Sequence, residues 1–236
     1  MLLKMENRLK LLVFDADDTL WECQKYFDLA EREYCRILSD YLGADDVSDS
    51  LFKTEVANMP LLGYGVKAFT LSLIENAVSV SKGKLPADKV KAIIDIGKSL
   101  LKLDAQPLPG VVDTLAAIRK LDRFRMVVFT KGEIQDQENK YKRSGLEPFF
   151  DDFVVVSDKT PAKYQKLCRD NECVISEMLM VGNSFKSDIA PVLQLGGNGA
   201  FIPHNMWRHE KVETYDHERL KVLSRFNELY GLFSFF

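Results

Sequence analysis

The apolar run Leu11-Leu12-Val13-Phe14 carries no polar interruption and stops abruptly at Asp15-Ala16-Asp17-Asp18-Thr19. A short run apolar at every position reads as a strand buried on both faces, here from Lys10 to Phe14. From about Glu22 to Leu103 the period changes. Phe27, Ala30, Tyr34, Leu38 and Tyr41 recur at three- and four-residue spacing, as do Val66, Phe69, Leu73, Ala77 and Val80, and then Val90, Ile93, Gly97 and Leu100. These stripes predict amphipathic helices that pack on one another, with the aromatic positions serving that packing. Pro107, Pro109 and Gly110 close the segment as a connection.

Beyond Gly110, helical and short apolar stretches alternate. Helices are predicted over Val111 to Leu121, Ile134 to Ser144, Ala162 to Arg169 and Ser187 to Leu195. Strands are predicted over Arg125 to Phe129, Phe153 to Val156, Met178 to Val181 and Ala200 to Ile202. Such alternation is the pattern of an α/β fold with a mainly parallel sheet covered on both faces. The first strand belongs to that sheet, and the helical segment is an insertion after it.

The 236 residues suffice for a core domain with a smaller insert, and 46% hydrophobic residues supply a globular core. A net charge of -3 argues against nucleic-acid binding through a broad basic face, so small molecules are the expected partners. Lys4, Glu6, Arg8 and Lys10 break the apolar residues at the N-terminus, which therefore lacks a signal-peptide pattern. No stretch approaches the roughly 20 apolar residues of a membrane span. A cytoplasmic location is expected, with Cys23, Cys35, Cys168 and Cys173 reduced and structural.

Ligands of an open parallel sheet bind beyond the carboxyl ends of its strands, so chemistry is sought there. The first strand delivers Asp15, Asp17 and Thr19; the second delivers Thr130, Lys131 and Gly132 in VVFTKG; the third leads through Asp158 to Lys159; the fourth runs into VGNSFKSDIAP with Asn183 and Asp188. An isolated Asp-x-Asp is equally an acidic turn or helix cap. Carboxylates, hydroxyls and a lysine converging on one edge instead suit phosphoryl transfer, where donors hold phosphoryl oxygens and a carboxylate attacks. Asp15 and Asp188 also fit the demand of magnesium for one or two carboxylates.

Asp-x-Asp-x-Thr, then Thr, then Lys, then Gly-Asn-x-x-x-x-Asp, each after a successive strand, resembles the haloacid dehalogenase superfamily of phosphohydrolases. The resemblance spans essentially the whole chain. It implies a Rossmann-like three-layer α/β/α core over residues 1–20 and 106–236 and a small all-helical cap over 21–105. It also implies a magnesium-dependent phosphatase acting on a small phosphorylated metabolite. In that likeness Asp15 is the nucleophile, and Asp17 is the acid and base that also lends a backbone carbonyl to the metal. Thr130 bonds the phosphoryl group and Lys159 neutralises its charge. Thr19, Thr130, Lys131 and Gly132 are the expected substrate contacts, with Asp15, Asp17, Asn183 and Asp188 at the metal. Lys163 is the alternative lysine, and Asn183 stands where many relatives have aspartate.

A sugar-phosphate mutase shares these motifs and remains an alternative, as does a noncatalytic phosphate-binding protein. In the insert, Tyr64 between Gly63 and Gly65 either faces a leaving group or packs between helices. His204, His209 and His217 lack metal-ligand spacing and are expected at the surface or in packing. The glycines of LGGNG are expected to make a turn. The C-terminal LFSFF is expected to pack on the core, with a dimer contact as its alternative; the protein itself is a monomer or homodimer.

Overall fold

The computed structural model describes residues 9–233. Its centre is a six-stranded, wholly parallel sheet in the order β3-β2-β1-β4-β5-β6. The strands are β1 (Leu11–Phe14), β2 (Arg125–Lys131), β3 (Asp152–Val156), β4 (Met178–Gly182), β5 (Asn198–Phe201) and β6 (Leu220–Val222). In β1 all four residues are buried because both faces are covered. Leu11 and Val13 join the cluster of Phe129, Tyr164, Met178 and Met180 on one face, while on the other Phe14 meets the rings of Phe150 and Phe226.

Helices connect the strands. They are α1 (Gln24–Ile37), α2 (Ala44–Leu62), α3 (Val66–Val80), α4 (Ala87–Leu100), α5 (Val111–Arg119), α6 (Ile134–Ser144), α7 (Pro161–Asp170) and α8 (Ala190–Gln194). Contacts divide the chain into two compact units, one holding Cys23–Asp104 together with Gly132–Lys140, the other holding the sheet.

The helical unit has its own core of Tyr34, Leu38, Val47, Leu51, Phe69, Leu73, Ile93 and Leu100, which are the predicted stripe residues plus two from α2. The Tyr34 hydroxyl inside it donates to the Leu73 carbonyl at 3.0 Å or to Asn76 Oδ1 at 2.7 Å, so the one polar group of that ring is satisfied. No single stripe pointed to α2, whose polar face is broad and which holds Pro60 within its last turn. Between α2 and α3, Gly63 and Gly65 adopt positive φ (71° and 130°), a backbone that side-chain-bearing residues resist. Glu133 secures the same turn by accepting the Lys67 backbone N–H at 2.9 Å.

Several boundaries differ from expectation. The fifth strand begins at Asn198 rather than Ala200, so in LGGNG the turn is confined to Leu195 and Gly196. Asn198 is drawn into the sheet by donating to the carbonyls of Ser176 and Met178 at 3.0 and 2.9 Å. β6 was not foreseen, since three residues with a central lysine leave no pattern. The helix expected from Ser187 opens as a π-helical turn over Phe185–Ile189 before α8. Phe233 is buried against Phe124, while Ser234 to Phe236 and Met1 to Arg8 lie outside the described residues. No disulfide joins the four cysteines, and among the described residues no helix is long and apolar enough to cross a membrane.

Gly97 of α4 faces α3 with no room for a side chain: a Cβ there would lie 2.0 Å from Thr70 Oγ1. Gly97→Ala should therefore cost about 1–3 kcal/mol by overpacking, more than the better helix propensity of alanine returns. Urea unfolding checks this, with partial recovery expected when Thr70→Ala is added.

Candidate active site

Strand order reverses at β1, whose neighbours are β2 and β4, and a parallel sheet opens a crevice at such a point. Asp15 leaves β1 there, its N–H still bonded to the Val181 carbonyl of β4 at 2.9 Å. The chain then closes a tight loop: Leu20 N bonds Ala16 O, Asp18 takes positive φ (60°), and Asp18 N bonds Trp21 O. That loop returns Thr19 over Asp15. The Thr19 hydroxyl lies 2.9 Å from Asp15 Oδ2 and 3.2 Å from Asn183 Oδ1, and it accepts the Asn183 N–H at 3.1 Å. The Trp21 indole donates to Asp17 Oδ1 at 2.8 Å, which orients that carboxylate.

Lys159, from the loop between β3 and α7, is buried and bonds both Asp15 Oδ1 and, at 2.7 Å, Asp188 Oδ1. Burial by itself would lower the lysine pKa, but Asp15 and Asp188 outweigh it and hold the ammonium above its usual value. Complete burial pushes the Asp188 carboxyl up, against the pull of Lys159 and with the Asp15 charge adding to the rise. Lys163 is exposed on α7. Thr130 is buried at the end of β2, in register with Val155.

The sheet unit thus holds Asp15, Asp17, Thr19, Thr130, Lys131, Lys159, Asn183 and Asp188, whereas Gly132 and Tyr64 belong to the helical unit. Gly132 takes φ of 138°, and a Cβ there would press on Gln137. The Lys131 ammonium, expected to meet substrate, bonds Glu210 at 2.7 Å and Ser187 at 3.0 Å.

Buried carboxylates and an amide oxygen form an oxygen-only donor set, which suits a hard divalent cation. Asp15 and Asp188, with the Asp17 carbonyl and Asn183, could hold one. Among the described residues, Asp18, Glu22 and His204 also have potential ligand atoms within 4.8 Å of one another, a grouping the histidine spacing did not suggest.

Two further residues escaped the sequence reading. Tyr164, read only as part of α7, donates to the Ser187 carbonyl at 2.9 Å. Glu210 is buried and accepts from Ser184 and Ser187 at 2.7 and 2.5 Å. Burial would raise its carboxyl, but Lys131 and the two hydroxyls hold it down at about 2. Nothing in the sequence signals Glu210, since its partners come from two other strand ends. Gly182, the glycine of the Gly-Asn-x-x-x-x-Asp motif, ends β4 before Asn183.

Residues 9–196 match the family model described as haloacid dehalogenase-like hydrolase. A crystal structure of a haloacid dehalogenase-like family hydrolase from Xanthomonas campestris superposes with a TM-score of 0.86 at 32% identity, covering 95% of this chain and 90% of that one. The pyrimidine 5'-nucleotidase YjjG of Escherichia coli is 28% identical over 80% of this chain and 81% of its own. A glyceraldehyde 3-phosphate phosphatase of Methanothermobacter thermautotrophicus is 23% identical over 86% and 89%.

A Cβ on Gly182 would lie 2.3 Å from Asp188 Oδ2, a carboxylate oxygen already fixed by the Ser184 N–H at 2.9 Å. Gly182→Ala is expected to displace Asp188 and lower kcat by about tenfold or more, with a smaller loss of thermal stability. Steady-state kinetics beside a melting curve would check it.

Proposed function

The chain belongs to the haloacid dehalogenase-like hydrolase family, and from that premise we propose that it is a magnesium-dependent phosphatase hydrolysing a small-molecule phosphate monoester through a phosphorylated Asp15. The observation that carries this reading is the buried Lys159 bonded to both Asp15 and Asp188 at the strand-order reversal. A lysine so placed holds one oxygen of Asp15 in position for attack and offers positive charge where a phosphoryl group would lie. The nucleotidase and phosphatase names of two relatives support hydrolysis over transfer between sugars.

In this mechanism an Asp15 oxygen attacks phosphorus while the bond from phosphorus to the ester oxygen breaks. Thr19 and Lys159 each hold one carboxylate oxygen, so the attacking group is oriented beforehand. Asp17, steadied by Trp21, gives its proton to the departing alkoxide. It then takes a proton from the water that attacks the aspartyl-phosphate, releasing inorganic phosphate and restoring Asp15. Thr130 donates to a phosphoryl oxygen. The cation, held by Asp15, Asp188, the Asp17 carbonyl and, through water, Asn183, would screen phosphoryl charge. We assign the helical insert the part of a cap that meets the organic portion of the substrate, with Tyr64 at that contact, and we assign Gly132, just after β2, to the substrate as well.

Asp15→Asn keeps the shape but removes the nucleophile, and turnover of an aryl phosphate should fall roughly a thousandfold or more, with no acid-stable phosphoryl adduct. Activity near that of the unaltered protein would refute the covalent route.

Chelation should abolish activity, and magnesium should restore it. Asn183→Asp adds a charge facing the cation, so a calorimetric titration should show tighter magnesium binding, by about two- to tenfold.

A further inference from the structure

Asp15 leaves a strand flanked by β2 on one side and β4 on the other, so its surroundings depend on how the loops after those two strands are held together. One buried side chain bonds both loops. Glu210 lies in the turn Arg208–Glu210, beyond β5, and is 7% exposed. Its Oε1 accepts Lys131 Nζ at 2.7 Å, at the end of β2. Its Oε2 accepts the hydroxyls of Ser184 and Ser187, in the loop after β4, at 2.7 and 2.5 Å.

The direction of these bonds matters. An ionised carboxylate only accepts, so both serine protons must point toward Glu210. The Ser184 oxygen then has a lone pair for the Ser187 N–H, which it accepts at 3.0 Å. That bond starts the π-helical turn over Phe185–Ile189, within which Asp188 faces back to the Ser184 N–H at 2.9 Å. Lys131 completes the circuit by donating to Ser187 Oγ at 3.0 Å.

We propose that Glu210 is a positioning residue of the active site: through Ser184, Ser187 and Lys131 it fixes the turn that presents Asn183 and Asp188 and ties that turn to the end of β2. It touches none of the reacting groups itself. The proposal rests on the reading of Asp188 and Asn183 as the cation-holding residues, and its primary test does not depend on that reading.

The primary test is hydrogen exchange on the metal-free protein. Glu210→Ala should raise exchange at the amides of residues 184 to 188 by about tenfold or more while the amides of β1 keep their protection. Glu210→Gln retains one carbonyl oxygen for a serine and should recover part of that protection. The pair Ser184→Ala with Ser187→Ala should reproduce the Glu210→Ala pattern, and adding Glu210→Ala to it should change little further.

With magnesium, calorimetry should show binding weakened by about tenfold in Glu210→Ala. Turnover of an aryl phosphate should show kcat falling by a similar factor while KM stays within about threefold. Unchanged exchange at 184 to 188, or exchange raised equally across the sheet with only the melting temperature lowered, would overturn the proposal. So would retention of full magnesium affinity and kcat in Glu210→Ala when the unaltered protein binds magnesium. If the unaltered protein bound no divalent cation, the reading of the metal site would fail, and the exchange pattern would still decide the role of Glu210. Should Glu210→Ala not fold, the exchange patterns of Glu210→Gln and of the serine pair decide the proposal by the same criteria.

Discussion

The constraint on which the sheet unit depends is the burial of two carboxylates, Asp15 and Asp188, around a single buried ammonium, Lys159. Charges removed from water are costly, and two like charges in one crevice are costlier still. Lys159 offsets that cost only because three segments distant in sequence bring their side chains to one point. One positive charge against two negative ones leaves the cluster with an excess of negative charge. A hard cation fits that excess, while burial foremost, with the Asp15 charge adding to it, pushes the Asp188 carboxyl up against the pull of Lys159. The electrostatics that burden the fold are those a phosphoryl-transfer site uses.

Holding this arrangement takes a rigid frame and close approaches. The frame is the register of β1 against β2 and β4, which sets Asp15 beside the ends of both neighbours. The close approaches are local. Gly182 gives Asp188 the space a side chain would fill, and Thr19 joins Asp15 to Asn183 through one hydroxyl. Tyr164, packed against Phe129 under the sheet, bonds the Ser187 carbonyl and fixes the turn after β4 from the core side. Glu210 bonds the same turn from the opposite chain direction, so its geometry has partners in the core and beyond β5.

The helical unit follows a different logic. Its core is a separate apolar cluster with its own polar network, in which Asn76 donates to Ser50 while accepting from Tyr34. The polar groups inside that core are satisfied within the helical unit itself. Its buried charges are a pair of their own, Lys140 and Asp136 at 3.7 Å. The close approach at Gly97 is a matter of size.

The sequence by itself determined the strands and helices with strong periods, and it identified the residues at their ends. The uninterrupted run before Asp15 could only be a doubly covered strand, and Thr130, Asn183 and Asp188 each follow an equally plain one. These signals are local, so one sequence carries them. Tertiary structure alone decided what depends on convergence. It gave Lys159, already preferred for its place near the strand end, two carboxylate partners at once, Asp15 and Asp188. It committed Lys131 to Glu210, brought Trp21 to Asp17, and drew Asn198 into β5 through two carbonyls. Each of these rests on a hydrogen bond whose geometry is set by how the chain packs around it, and hydrophobic patterning carries no information about where such a bond will form.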